Sequence, residues 1–188
     1  MVLCSILCRK DGDFMSSTKL VTPLTVGLIQ SIVASAGDIT DYIIKNEEDK
    51  KGGVLYVGDS KTGLPLLSCV FGSLTEEKIT KYKFFATEKA ERLAKTSWHD
   101  TSWQSRDMDT DPKGYAGAVR VNGTEGFILS FSGFTEEQDE AAMLVLAMNI
   151  GLMNGEAAAL LVQMSKNQYF CKLQNNCVSL LRRLHNRD

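Results

Sequence analysis

Apolar residues at Leu24, Leu28, Ile32, Ala36, Ile39 and Ile43 recur at steps of three and four, the period of a helix that buries one face. Thr22-Pro23 ahead of them reads as an N-cap followed by proline in the first turn, and the charged run from Lys45 to Gly53 closes the segment. Gly37 weakens this helix without ending it. Val54–Val57 and Leu64–Phe71 then predict two strands, joined by Gly58-Asp-Ser-Lys-Thr-Gly63, whose residues suit a turn. Thr75-Glu76-Glu77 opens a second helix, because the threonine accepts an orphaned amide and the acids suit the positive end of the helix dipole. Its stripe of Ile79, Tyr82, Phe85, Ala86, Ala90, Leu93 and Ala94 predicts packing across a sheet.

A polar stretch from Thr96 to Lys113 separates that helix from a second strand pair, Tyr115–Val121 and Gly126–Phe131. They flank Asn122-Gly123, the strongest hairpin dipeptide in the chain. Thr135 and Gln138 form a capping box. The helix behind it is apolar almost all round through Met153, which predicts a central helix with sheet on one side and another element on the other. Phe71-Gly-Ser-Leu-Thr-Glu-Glu and Phe131-Ser-Gly-Phe-Thr-Glu-Glu are similar and sit at equivalent places, each between a hairpin and a helix. Two such units within one domain make an α+β fold, an antiparallel sheet flanked by helices, because neither unit buries its face alone.

Composition narrows the function classes. A chain of 188 residues, 44% hydrophobic and 23% charged, supports one globular domain with a full core. A net charge of −2 supplies no global field for nucleic acid, so none is expected as a partner. The five cysteines are sparse and odd in number, the usage of a cytoplasmic protein. The apolar start, Met1 to Cys8, is too short and wrongly flanked for a secretory signal, and the longest apolar run, Ala141 to Met153, is too short to span a membrane. No membrane association is expected. Residues 160–188 carry five Lys/Arg against one Asp, interleaved with leucines, and read as a packing or partner helix.

Three stretches together resemble the GlcG/HbpS-like haem-binding family, which also includes the C-terminal domain of some cobalamin adenosyltransferases. They are Gly53-Val-Leu-Tyr-Val-Gly-Asp59-Ser-Lys-Thr-Gly63, Ala86-Thr-Glu-Lys-Ala90, and Gly117 through Gly133 with Glu137-Gln-Asp-Glu-Ala141. Asp59 with Gly63, Lys89-Ala90, Ser132-Gly133 and Gln138-Asp139 carry the resemblance best. It implies a profilin-like sheet over residues 22–155, preceded by a segment 1–21 and followed by a helical extension 156–188. It also implies a noncatalytic small-molecule binder, with haem or a related tetrapyrrole as ligand, assembled as a homo-oligomer. The alternative is a protein-interaction scaffold of the roadblock/profilin-like kind on the same architecture.

The loop containing Trp98, His99 and Trp103 collects both tryptophans and one of two histidines, groups able to cover a planar ligand and ligate its iron. Those three residues are the expected cofactor-binding set, with Gly133 at the last helix entrance as a further wall; the competing reading is a loop fastened by its tryptophans, with His99 facing solvent. Asp107-x-Asp109-x-Asp111 starts like a calcium loop, but Pro112 stands where the turn glycine belongs and Ala118 where the bidentate glutamate belongs, so no metal is expected. Cys69 in its strand reads as a buried thiol. An enzyme would need His99 beside Cys69, or two acids of the 107–111 run converging on a cleft.

Overall fold

A computed structural model describes residues 24–106 and 114–176. The first helix, α1 (Val26–Asn46), is capped by the side chain of Thr25, which accepts the amide of Leu28. The cap predicted at Thr22-Pro23 lies outside the described residues, and Thr25 holds the orphaned donor instead. Ile32, Ala36, Ile39 and Ile43 are its buried stripe, as the period requires.

Strands β1 (Gly52–Asp59) and β2 (Pro65–Gly72) pair antiparallel, and the chain enters α2 (Glu76–Ala94) through the Thr75 cap. Strand β3 (Ala118–Val121) begins three residues later than the pattern suggested: the Tyr115 carbonyl accepts from Arg92 and Ser102 and the Ala116 amide donates to Glu136, and only Gly117 still bonds β4, through the Phe131 amide. Asn122 and Gly123 both take left-handed φ angles, 59° and 64°, as a tight hairpin turn demands, but a 3-10 turn over Gly123–Glu125 lengthens the connection to β4 (Phe127–Ser132). Thr135 and Gln138 close the capping box of α3 (Glu136–Asn149), and α4 (Gly155–Ser165) follows. The helix predicted through Met153 stops earlier, at Asn149, with Gly151 left-handed just beyond it. A further helical stretch occupies 169–176.

The sheet order is β2-β1-β4-β3, all antiparallel, so the fold is α+β: a profilin-like sheet flanked by helices. Side-chain alternation divides the core in two. Leu55, Val57, Val119, Leu129 and Phe131 meet α1, α3 and α4 on one face, while Tyr56, Ala118 and Ile128 meet Ala86, Ala90 and Leu93 of α2 on the other. The two similar strand-to-helix segments therefore deliver their helices to opposite faces. Every residue of α3 from Gln138 to Ala147 is buried, between the sheet, α1 and α4. That burial explains why its period vanishes in the sequence.

Candidate functional site

Arg120 sits in a strand whose neighbours on both faces are buried, so its guanidinium must be satisfied inside the protein. All five of its N–H groups are. Nε donates to the carbonyl of His99, one terminal nitrogen to the carbonyl and hydroxyl of Ser60, and the other to the carbonyls of Leu93 and Thr96. Leu93 lies in the last turn of α2, so the cation also meets the negative end of that helix. Burial pulls the Arg120 pKa below its ordinary value and the nearby Asp100 carboxylate opposes this. One side chain thus ties α2, the 59–60 turn and the His99 loop to the sheet.

Held in this way, residues 99–102 run antiparallel to the outer edge of β3. The amide of Arg120 donates to the carbonyl of Asp100 at 2.7 Å, and that of Ser102 to Ala118 at 2.9 Å. Trp98 is 75% exposed and lies edge-on to the His99 ring, 5.7 Å between centroids. Trp103 is half-buried further along the loop. Trp98 and His99 are therefore neighbours on one rim. Gly133 is not among them: it follows Ser132 at the other end of β4, level with Gly53, roughly 15–20 Å away along six residues of strand. There a Cβ would stand 2.4 Å from the Gly52 carbonyl oxygen, so this glycine serves close backbone packing.

Beside His99 an open cleft of about 350 Å³ lies between the β3–β4 turn and α4. Asp100, Asn122 and Asn154 supply its polar lining, and Leu152, Met153, Leu160 and Leu161 its apolar side. Arg120 forms part of the wall, with every N–H already committed.

Haem is the ligand the resemblance implies, and His99 is the test of its fit. An iron-ligating imidazole is ordinarily oriented by a hydrogen bond from its second ring nitrogen. Nδ1 of His99 is buried without a hydrogen-bond partner among the described residues. The cleft beside it presents the carboxylate of Asp100 and no uncommitted basic side chain to haem's own carboxylates. This cleft, as the described residues line it, does not fit haem.

Two buried ionic groups lie elsewhere. Lys89 of α2 reaches past the start of β3 to Asp139 of α3, crossing from one face of the sheet to the other. Its Nζ donates to Asp139 Oδ2 at 2.9 Å and to the Phe131 carbonyl at 2.8 Å, and Asp139 Oδ1 accepts the amide of Phe134. Gly117 makes room for the crossing, for a Cβ there would be 2.8 Å from Nζ and 2.7 Å from the Asp139 Cβ. Burial pushes the Asp139 carboxyl above its ordinary value, and Lys89 opposes that rise.

At the next residue of α3, Glu140 accepts the side-chain amide of Asn167, whose own oxygen receives the amides of Tyr169 and Phe170. Burial raises the Glu140 carboxyl too, with the Asn167 amide opposing it more than the charge of Arg106. Arg106 pairs with Glu136.

The Cys69–His99 arrangement is not assembled among the described residues. Cys69 is on β2 and His99 lies beyond β3, at opposite edges of the sheet, and burial raises the thiol pKa. The 107–111 acids lie outside the described residues. Among the described residues no group of His, Cys, Asp and Glu could hold a metal, and no helix is long and apolar enough to cross a membrane.

No family model matches the sequence, and no curated protein does. Among solved structures, the crystal structure of Klebsiella pneumoniae protein ORFY, described under family model DUF336, is similar at a TM-score of 0.50 and 16% identity. The match covers 76% of this chain and 100% of that one. DUF336 is the GlcG-like family, and a likeness at this identity shows a shared fold.

Proposed function

We propose that this protein is a noncatalytic binder of a small, partly apolar molecule, held in the cleft between the β3–β4 turn and α4. The observation that carries the reading is the cleft itself, whose volume of about 350 Å³ falls within the range of about 300–1,000 Å³ usual for ligand pockets. Its apolar lining would hold a hydrocarbon portion, and Asp100 would meet a cationic or hydrogen-bond-donating group. Because Arg120 has no donor to spare, the cleft favours an amine over a carboxylate. The similarity to a GlcG-like fold agrees with membership of that family, and the ligand class departs from the tetrapyrrole that membership suggests.

The test is a pair of titrations followed by amide chemical shifts, one with benzylamine and one with benzoate. Saturable shifts confined to Asp100, Asn122 and α4 are expected with benzylamine and not with benzoate. Ala157→Trp, on the exposed first turn of α4 that lines the cleft, should abolish them without lowering the melting temperature. Equal response to both compounds, or none to either, would overturn the reading. A haemin titration should give no Soret shift that depends on His99.

A further inference from the structure

We propose that Met164 is an oxidation site that regulates the cleft: its sulfoxide accepts a hydrogen bond from Gln104 and so clamps one wall to the other. This role rests on the cleft being a ligand site. The reagent that acts on Met164 is a hydroperoxide, of which hydrogen peroxide is the simplest.

Gln104 is the side chain that reaches both walls. Its Oε1 accepts the amides of Asp100 at 2.8 Å and Thr101 at 2.9 Å, which closes the 100–104 turn and fixes the backbone that carries the Asp100 carboxylate. Its Nε2 meets α4, at Met164 Sδ, 3.9 Å away. Met164 stands four residues beyond Leu160, on the same face of the helix, and Leu160 lines the cleft. The Asp100 wall is itself tied to β3, because its carbonyl accepts the Arg120 amide. A fixed wall and a helix therefore meet at one thioether, and a thioether is a weak acceptor.

Exposure makes this sulfur the one a peroxide reaches first among the described methionines. Met143 is buried, Met148 and Met153 are half-buried, and Met164 is 41% exposed. In the step itself a sulfur lone pair attacks one peroxide oxygen. The S–O bond forms as the O–O bond breaks, and the proton on the transferred oxygen passes to the departing hydroxide, which leaves as water. Sulfur is oxidised by two electrons and the peroxide is reduced by the same two. Methionine sulfoxide reductases restore the thioether, so the change is reversible.

The new oxygen stands one bond out from the sulfur, and the flexible methionine side chain turns it into the gap facing Nε2. A long sulfur contact thereby becomes an ordinary N–H to oxygen hydrogen bond. Gln104 needs no rearrangement for this, since Oε1 keeps both backbone amides while Nε2 donates. With α4 held against the 100–104 turn before a ligand arrives, binding has less left to order and becomes tighter.

The test treats the full chain with hydrogen peroxide and locates the added oxygen by peptide mass, with Met164 expected to gain it ahead of Met143, Met148 and Met153. In the oxidised protein a Gln104 side-chain amide proton should move downfield, and the Asp100 and Thr101 amides should exchange more slowly. Benzylamine should bind roughly three- to fivefold tighter than it binds the reduced protein. Met164→Leu should lose all three responses although methionines elsewhere in the chain still oxidise. Gln104→Glu should lose them too, because a carboxylate keeps the acceptor for both backbone amides and has no N–H to give the sulfoxide. The clamp is overturned by Met164 oxidation that leaves the Gln104 proton and the two amides unchanged, by benzylamine affinity that stays level or falls, or by responses that persist in either variant. Failure of benzylamine to bind the reduced protein would overturn the cleft as a ligand site, and the Gln104 and amide responses would still decide whether the clamp forms.

Discussion

Replacing Lys89 with methionine keeps most of the side chain's volume and removes the ammonium that meets Asp139 at 2.9 Å. Both side chains are nearly sealed from water, at 2% and 3% exposure. At an effective dielectric of about 20, charges at that separation attract by roughly 6 kcal/mol, and desolvation of the pair offsets much of this. The single variant loses more than the net worth of the pair, because Asp139 stays buried and keeps no counter-charge. Breaking a buried pair in this way costs about 3–5 kcal/mol, a fall in melting temperature of roughly 6–20 °C for a domain of this size. Urea denaturation followed by circular dichroism, near pH 8 and near pH 5, checks the size and the sign.

The sign follows from linkage. Burial already places the Asp139 carboxyl above its ordinary value, and loss of Lys89 removes the group that opposes the rise. A carboxyl whose folded pKa is raised contributes stability below its unfolded pKa and loses it as the pH rises through the folded value. Lys89→Met should therefore regain part of its lost stability at the lower pH. Lys89→Met/Asp139→Leu should recover most of it at both, since neither charge is then stranded. A single variant that loses under about 1 kcal/mol near pH 8, or one whose loss grows on acidification, would refute this account.

Arg120→Lys replaces a five-donor fork with three donors at a single point; a loss on the order of 3 kcal/mol is expected, with faster amide exchange over 96–100 as the local signature. Glu140→Gln retains the acceptor for Asn167 and removes a carboxyl that burial has raised, so its stability relative to wild type should improve as the pH rises, read from paired urea melts. Thr135→Ala removes the hydroxyl that receives the Gln138 amide and should cost about 1 kcal/mol in the same melts, with no change in the benzylamine titration.

Much of the fold was legible locally. Caps at Thr75 and Thr135, the stripe of α1, the strand pairs and the buried character of α3 all follow from interactions within a few residues, and such interactions are written in consecutive positions. The misplaced boundaries are of the same local kind: Thr25 caps α1, and Gly151 follows an α3 that ends at Asn149. The site was less legible. Lys89 and Asp139 stood out by resemblance, yet nothing local joined residues 50 positions apart on helices that cover opposite faces. Arg120 was missed although it left a signal, a lone cation inside Ala118-Val-Arg-Val121, whose alternation gives it no exposed side.

By itself the sequence determined the elements, their order and the mixed antiparallel class, because caps, turns and periodicity are decided within one or two turns of chain. Tertiary structure alone decided that Trp98 and His99 stand far from Gly133, that Arg120 has no donor left for a ligand, and that β2 is an outer strand of the sheet among the described residues. Those outcomes depend on which strands become neighbours, and strand order is set by burial summed over the whole chain rather than by any one segment.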